Sequence, residues 1–141
     1  MFTGTYESRL QQWFDFRKTL EASKNPLLDV VTQYKQVSTS SMLGDPFNKN
    51  SWPSPWQLIL DNQYCALYTV LGECYSLQLT DRFKRSSFEI HTGVDRQDGR
   101  TCHLLIIDKL TVLGWNETYV DITELPETYY SQTTHVMSPL H

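Results

Sequence analysis

The most apolar segment of the chain runs from Asn62 to Leu79 and predicts a helix. Its apolar residues do not fall on one stripe of a helical surface but occupy nearly every face: Tyr64, Cys65, Leu67, Tyr68, Val70, Leu71, Cys74, Tyr75, Leu77 and Leu79. A helix that is apolar all round must be covered on every side by other elements. The sequence therefore predicts a domain wrapped around a buried central helix.

Two amphipathic helices are predicted before this segment. Thr5 is a favourable N-cap for a helix over residues 6–22, in which apolar positions recur at helical spacing at Leu10, Trp13, Phe14 and Leu20. Asn25 followed by Pro26 starts a second helix, since proline fits the first helical turn. We expect a helical hairpin over residues 1–36 that packs on the domain or docks onto a partner.

The helical periodicity stops over residues 37–53, which are rich in serine, asparagine, glycine and proline. We interpret this segment as a long surface loop. Its Phe47 and Trp52 indicate that parts of the loop are pinned or bind something, because large rings are seldom left in water. Ser54 and Pro55 then repeat the cap-and-proline signal and predict a short helix ahead of the central one.

After a basic turn the apolar pattern changes to a period of two from Phe88 onward, which is typical of strands. Asp98-Gly99 favours a hairpin turn. Residues 101–107 are apolar on both faces, as expected of a central strand. Two further short strands are predicted up to Ile122.

These elements define the expected architecture, and the fold class is α+β. An N-terminal helical hairpin and a long loop precede a core over residues 54–123, where the central helix packs on a three- to four-stranded antiparallel meander. Residues 124–141 are polar and interrupted by prolines. We interpret them as an extended C-terminal tail that hangs free or lies along a neighbour.

The composition limits the cellular compartments and the classes of partner that we expect for this protein. The chain has 141 residues and a formal net charge of -4, an acidic balance that gives no overall attraction to nucleic acid. No secretory signal and no membrane-spanning stretch are visible in the sequence. The three cysteines include no CxxC pair. We therefore expect reduced thiols in a cytosol-like compartment, with neither nucleic acid nor a membrane as partner.

Three residues have the types and the order of a cysteine-based catalytic site. Cys65 falls in the first turn of the central helix, His103 on the central strand and Asp121 on a later strand. A helix N-terminus favours a thiolate, an imidazole can take the thiol proton, and a carboxylate can fix the imidazole tautomer.

The segment from Tyr64 through the meander to Gly114, Trp115 and Asp121 resembles the core of the transglutaminase-like (papain-like) cysteine enzymes. That resemblance implies Cys65 as nucleophile, His103 as base and Asp121 as the orienting acid. The alternative for each residue is structural: Cys65 as a small buried apolar side chain, and His103 as a hydrogen-bonded core or interface histidine.

Other chemistry has less support in the sequence. The cysteines and histidines form no short ligand pair, so we expect no metal site and no cofactor. Arg82, Lys84 and Arg85, with Arg96 and Arg100, could form a basic rim for nucleic acid. A solvated turn accounts for them better in an acidic chain.

Aromatic residues are the best candidates for contact with other proteins, because rigid rings bury much area at little entropic cost. The predicted partner-binding residues are Trp13, Phe14, Phe47, Trp52, Trp56, Tyr129 and Tyr130. The stretch from Asp45-Pro46-Phe47 through Trp52-Pro53-Ser54-Pro55-Trp56 to Tyr64-Cys65 resembles small proteins of T4-like tailed bacteriophages.

These observations lead to two hypotheses of function. The first is a structural or assembly component of a tailed phage virion, in the neck, tail or baseplate, built on a transglutaminase-like scaffold whose site has decayed. Its partners would be other protein subunits, and its location the virion or the host cytoplasm. The alternative is a cysteine-dependent acyl-transfer or hydrolytic enzyme that uses Cys65, His103 and Asp121.

Overall fold

The structure, a computed structural model, describes residues 1–140 and confirms the α+β fold class. The described residues form four α-helices and one five-stranded antiparallel sheet. The helices are α1 (Tyr6–Ala22), α2 (Pro26–Tyr34), α3 (Pro55–Asp61) and α4 (Ala66–Gln78). The strands are β1 (Phe88–Asp95), β2 (Arg100–Ile107), β3 (Thr111–Leu113), β4 (Tyr119–Asp121) and β5 (Tyr129–Met137). Two short 3₁₀ turns cover Lys49–Ser51 and Ile122–Glu124.

Helix α4 is the buried centre that its sequence predicts. Every residue of α4 except Ala66 and Thr69 is buried. Helix α2 lies especially close to it, because a Cβ atom at Gly72 would collide with the ring of Tyr34. Glycine at this position therefore lets the two helices approach until a tyrosine ring lies against the α4 backbone.

The helical hairpin belongs to the core of the domain and is not a separate arm. Trp13 on α1 is only 1% exposed, and its indole N–H donates to the hydroxyl of Ser76 on α4 at 2.9 Å. The hydroxyl of Tyr34 on α2 also lies 3.1 Å from the Ser76 hydroxyl. Both helices of the hairpin are thus joined to α4 through one buried serine. The prediction that Trp13 binds a partner is wrong, because its ring is enclosed within its own domain.

The turn after α4 holds the end of α1 in place. The guanidinium of Arg82 donates to the backbone carbonyls of Leu20 and Ser23, at 3.1 and 2.5 Å. In return, the Glu21 carboxylate accepts the backbone N–H groups of Asp81 and Arg82. Carbonyls at a helix C-terminus lack partners within the helix, so this exchange satisfies groups that would otherwise need water. Arg82 therefore has a structural role in this turn.

The strands pair in the order β4-β3-β2-β1-β5. The order corrects the prediction of a C-terminal tail, since β5 pairs with β1 along its whole length and the sheet has five strands. Strand β5 was not predicted from the sequence, because it is an edge strand. Most of its residues are exposed or only partly buried, so it lacks the apolar alternation of a half-buried strand.

The sheet is covered on both faces, as the apolar character of β2 predicts. Leu105 and Ile107 face the helices and join the main core. Cys102, Leu104 and Ile106 face the other way and form a second, smaller cluster with residues of β3 and β4. This second cluster is covered by the partly buried side chains of Trp115, Ile122, Leu125 and Tyr129.

The long loop is anchored at both ends. Thr39 forms a parallel bridge with Tyr64, just before α4. Near the other end, the Trp52 indole N–H donates to the Asp45 carbonyl at 2.8 Å, and its ring contacts that of His135 on β5 with centroids 4.9 Å apart. Trp52 is only 9% exposed, so the prediction that it binds a partner is wrong. It packs the loop onto the domain.

Trp13→Ala and Phe14→Ala form a matched pair of adjacent substitutions on α1. We expect Trp13→Ala to lower the free energy of unfolding by about 3–5 kcal/mol, because it removes a fully buried ring and leaves a cavity. Phe14 is 43% exposed, so Phe14→Ala should change it by only about 0.5 kcal/mol. Urea denaturation followed by tryptophan fluorescence and circular dichroism measures both. Equal effects of the two substitutions would contradict the placement of α1.

Candidate functional site

Cys65 lies one residue before α4, as its N-cap. Its backbone carbonyl accepts the N–H and the hydroxyl of Thr69, each at 2.9 Å. The side chain is part of the main apolar core and only 1% of the residue is exposed. The position at the start of the helix is as predicted, but the thiol is enclosed by its own domain.

His103 lies on β2, on the face of the sheet that is turned toward the helices. Its Nδ1 atom is 3.1 Å from the hydroxyl of Thr92, the residue paired with it on β1. Burial lowers the pKa of the imidazole, because desolvation penalises the charged ring. His103 is therefore neutral at physiological pH, and its Nε2 atom has no hydrogen-bond partner within residues 1–140.

Asp121 does not join the other two predicted catalytic residues. Its register partner is Thr111, which pairs with Ile107 at the far end of β2. Ile107 is four residues beyond His103, a separation of about 13 Å along the strand. The carboxylate accepts the backbone N–H and the hydroxyl of Thr123, at 2.9 and 2.7 Å, and these bonds lower its pKa. The predicted triad is therefore not assembled.

A cavity of about 270 Å³ lies beside His103, between α4 and the first half of β2. Polar side chains from both elements line it, with small apolar residues between them. Its lining residues are Thr39, Ala66, Thr69, Val70, Glu73, Arg100, Thr101, Cys102, His103 and Gly114. A second cavity of about 160 Å³ shares Thr69, Glu73 and Gly114 with it and also involves α2. Neither Cys65 nor Asp121 lines either cavity.

Glu73 is a functional candidate that was not predicted from the sequence. It is only 5% exposed, and its carboxyl group makes no hydrogen bond or ion pair within residues 1–140. Burial raises its pKa to about 8, so the group is mostly protonated at neutral pH. The signal was present in the sequence: Glu73 is the single charged residue of a helix that is otherwise apolar or neutral on all faces. Perturbed carboxyl groups that line a cavity are candidates for function.

Gly114 brings the turn after β3 close to His103. Its φ of +99° is a conformation that other residues rarely adopt. A Cβ atom at this position would lie 2.5 Å from the backbone carbonyl oxygen of His103. A larger residue would push the turn away from β2, and both cavities would lose the wall that they share.

The cavity brings together hydrogen-bonding groups without a nucleophile. A protonated carboxyl and a neutral imidazole can bind and orient a polar molecule or exchange protons with it. Cys102 extends toward the second apolar cluster on the opposite face of the sheet. Among residues 1–140, no three histidine, cysteine or acidic side chains are grouped as metal ligands would be.

The predicted contact residues divide by exposure. Four of them are exposed and available to a partner: Phe14 (43%), Phe47 (55%), Trp56 (49%) and Tyr130 (52%). Tyr129 is partly buried and its ring lies 5.8 Å from that of Trp115, centroid to centroid. Trp13 and Trp52 belong to the core, as described above. The sequence alone does not distinguish a buried aromatic side chain from an exposed one, because both are the same residue type.

Comparison with protein-family models, with curated proteins and with solved structures found no match for this chain. Within residues 1–140, none of the helices is both long enough and apolar enough to span a membrane.

Glu73→Gln tests the buried carboxyl through the pH dependence of stability. The unfolded chain ionises Glu73 above its usual pKa of 4.5, whereas the folded chain keeps it protonated up to about pH 8. The wild type should therefore lose stability across this window as the pH rises, by up to about 4 kcal/mol from this group. Gln cannot ionise, so the variant should lack this loss. Urea denaturation at several pH values measures it, and parallel pH profiles for the two proteins would contradict the burial of Glu73.

Thiol labelling tests the cysteine-enzyme alternative. All three cysteines are buried, so we expect iodoacetamide to modify Cys65, Cys74 and Cys102 slowly in the native protein and rapidly only in denaturant. Mass spectrometry of peptides after timed labelling gives the rate at each position. Fast modification of Cys65 alone near neutral pH would restore the catalytic interpretation.

Proposed function

We propose that the protein is a structural or assembly component that acts through protein–protein contacts, and that the free edge of β5 is its main contact surface. The observation that carries this proposal is the character of β5. It is a nine-residue edge strand without a charged residue or a proline, and most of it is exposed. Such an edge offers backbone N–H and carbonyl groups to a strand from another chain.

Edge strands of proteins that remain monomeric are usually protected against such pairing. Charged residues, prolines, short length and bulges are the common devices. Here the only irregularity is a register shift against β1 between Thr92 and Gly93. Only the last part of the strand is covered: Lys49 Nζ donates to the Val136 carbonyl at 2.7 Å, and His135 Nε2 lies 3.2 Å from the Pro46 carbonyl oxygen. The segment before His135 remains open.

Side chains on β5 fit the same role. Tyr130 and Val136 are 52% and 65% exposed, although both are large and apolar for an accessible position. The guanidinium of Arg96 lies 4.6 Å from the centroid of the Tyr130 ring and holds it at the end of the strand. In strand addition, backbone hydrogen bonds give affinity and side chains of this kind select the partner.

Exposed apolar side chains also lie on the helices, namely Phe14 on α1 and Trp56 and Leu60 on α3; we call these three residues the aromatic ridge. The Trp56 ring contacts the buried ring of Trp13 with centroids 5.5 Å apart, so it stands on a rigid base. Fixed aromatic side chains are typical centres of protein interfaces. Two contact surfaces of different kinds suit a subunit that joins two different neighbours.

A tailed phage particle is the setting we propose. The stretch from Asp45 to Cys65 supports it through the resemblance given above. The transglutaminase-like scaffold is part of the same proposal. Enclosure of Cys65 and capping of a turn by Asp121 are what a decayed catalytic site would leave behind.

Thr134→Pro tests the role of β5. The contact of Lys49 with the Val136 carbonyl places that carbonyl on the outer side of β5, and strand alternation gives Thr134 the same direction. Proline at Thr134 removes an outward N–H and obstructs a neighbouring strand. We expect the wild type to form a stoichiometric complex with a co-expressed neck, tail or baseplate subunit. Thr134→Pro should weaken this complex at least about tenfold, as measured by size exclusion with light scattering and by calorimetry.

Thr134→Val is the matched control, because it keeps the backbone N–H and the preference for an extended conformation. It should form the complex as the wild type does. Circular dichroism and urea denaturation of both variants show whether the fold is retained. A wild-type protein that stays monomeric and binds none of the co-expressed subunits would overturn the proposal, and so would equal binding by Thr134→Pro.

A further inference from the structure

We propose that the cavity between α4 and β2 is a binding site for a small organic carboxylate, which is held by Glu73 and His103. This site is separate from the contact surfaces on β5 and on the aromatic ridge. It rests on a polar side chain that is buried, turned toward a cavity and left without a protein partner.

Glu73 is the first support for the site. Buried polar groups in proteins nearly always have hydrogen-bond partners. The other buried polar side chains of α4 follow this rule: Ser76 bonds to Trp13, Tyr34 and the Gly72 carbonyl, and Gln78 bonds to the Ser138 carbonyl. Glu73 alone among them has no hydrogen bond within residues 1–140, and it borders both cavities. A ligand in the cavity would supply the missing partner.

The charged side chains that line the two cavities are compatible with an anion. Besides Glu73, the titratable groups that border the two cavities are Tyr34, Lys35, Arg100, Cys102, His103 and Glu117, and Cys74 is the neighbour of Glu73 on α4. Lys35 and Arg100 are basic side chains and Glu117 is an acidic one, while burial raises the pKa of Tyr34, Cys74 and Cys102, lowers the pKa of His103, and so favours their uncharged forms. The residues that line the two cavities therefore carry two positive charges and one negative charge.

Hydrogen bonding favours a carboxylate in particular. The protonated Glu73 carboxyl can donate to one ligand oxygen. His103 can donate to the other from Nε2 in the tautomer in which the Thr92 hydroxyl donates to Nδ1. Arg100 borders the cavity, but its guanidinium stacks on Trp115, 5.0 Å from the ring centroid, and Trp115 covers the second cluster on the other face of the sheet. The two donors that face the ligand are therefore Glu73 and His103.

The size of the site limits the ligand. A cavity of about 270 Å³ is at the small end of ligand pockets. It suits a short aliphatic or single-ring acid and is too small for a nucleotide. Ala66, Val70 and Gly114 supply apolar wall on which the carbon skeleton of such an acid can lie.

Benzoate and benzylamine are matched probes, because they have the same size and opposite charge. With the full chain labelled by ¹³C at Glu and His, we expect benzoate to shift the Glu73 carboxyl and His103 ring signals in a saturable way. Benzylamine should leave both unchanged. Benzoate affinity should fall about tenfold between about pH 6 and about pH 9, because Glu73 loses its proton near pH 8 and then repels the ligand.

Two variants assign the binding to Glu73. Glu73→Gln keeps a hydrogen-bond donor, so it should bind benzoate with an affinity that no longer changes with pH. Glu73→Leu has no donor and should bind at least about tenfold more weakly. If the leucine variant does not fold, the pH dependence of the wild type still decides the question.

Three results would overturn the proposal. The first is the absence of any shift at Glu73 and His103 with benzoate. The second is tighter binding of benzylamine with release of a proton, which would assign the cavity to cations. The third is benzoate binding that neither pH nor Glu73→Leu changes, since the ligand would then lie elsewhere.

Discussion

The enclosure of α4 is the constraint on which the rest of the structure depends. A helix that is apolar on all sides cannot face water anywhere, so each other element must cover part of it. Helices α1, α2 and α3 pack on it from the helical layer, and β1 and β2 cover it from the sheet. Ser76 joins α1 and α2 to α4 by hydrogen bonds, and the close approach of Tyr34 at Gly72 fits α2 against it.

Because α4 is enclosed, each of its polar side chains either has a hydrogen-bond partner in the core or lowers the stability of the fold. Ser76 and Gln78 are tolerated in the core because each finds partners there. Glu73 lowers stability at neutral pH, since the folded chain must keep it protonated. A residue that costs stability and borders a cavity points to a use for that cavity. The core does not use the outer edge of β5 or the aromatic ridge, which are the surfaces that we propose for contact with other proteins.

Much of the fold was predictable from local signals. The helix starts at Thr5, Asn25 and Ser54 follow capping chemistry, and each of these side chains accepts the expected backbone N–H. The candidate site was predicted less well. Its histidine was found from its place on a central strand, whereas Glu73 was overlooked, because a single acid in an apolar helix was not weighed as a signal. Asp121 was misassigned because the order of residues in a sequence carries no information on strand register.

The sequence by itself determined the class of fold, the number and order of helices and the burial of α4, because capping residues and apolar periodicity act within a few residues of the chain. Only the tertiary structure decided that residues 129–137 complete the sheet, that Trp13 is buried while Phe14 is exposed, and that Glu73 and His103 border one cavity. These outcomes depend on contacts between residues that are far apart in the chain, and such contacts leave no local pattern.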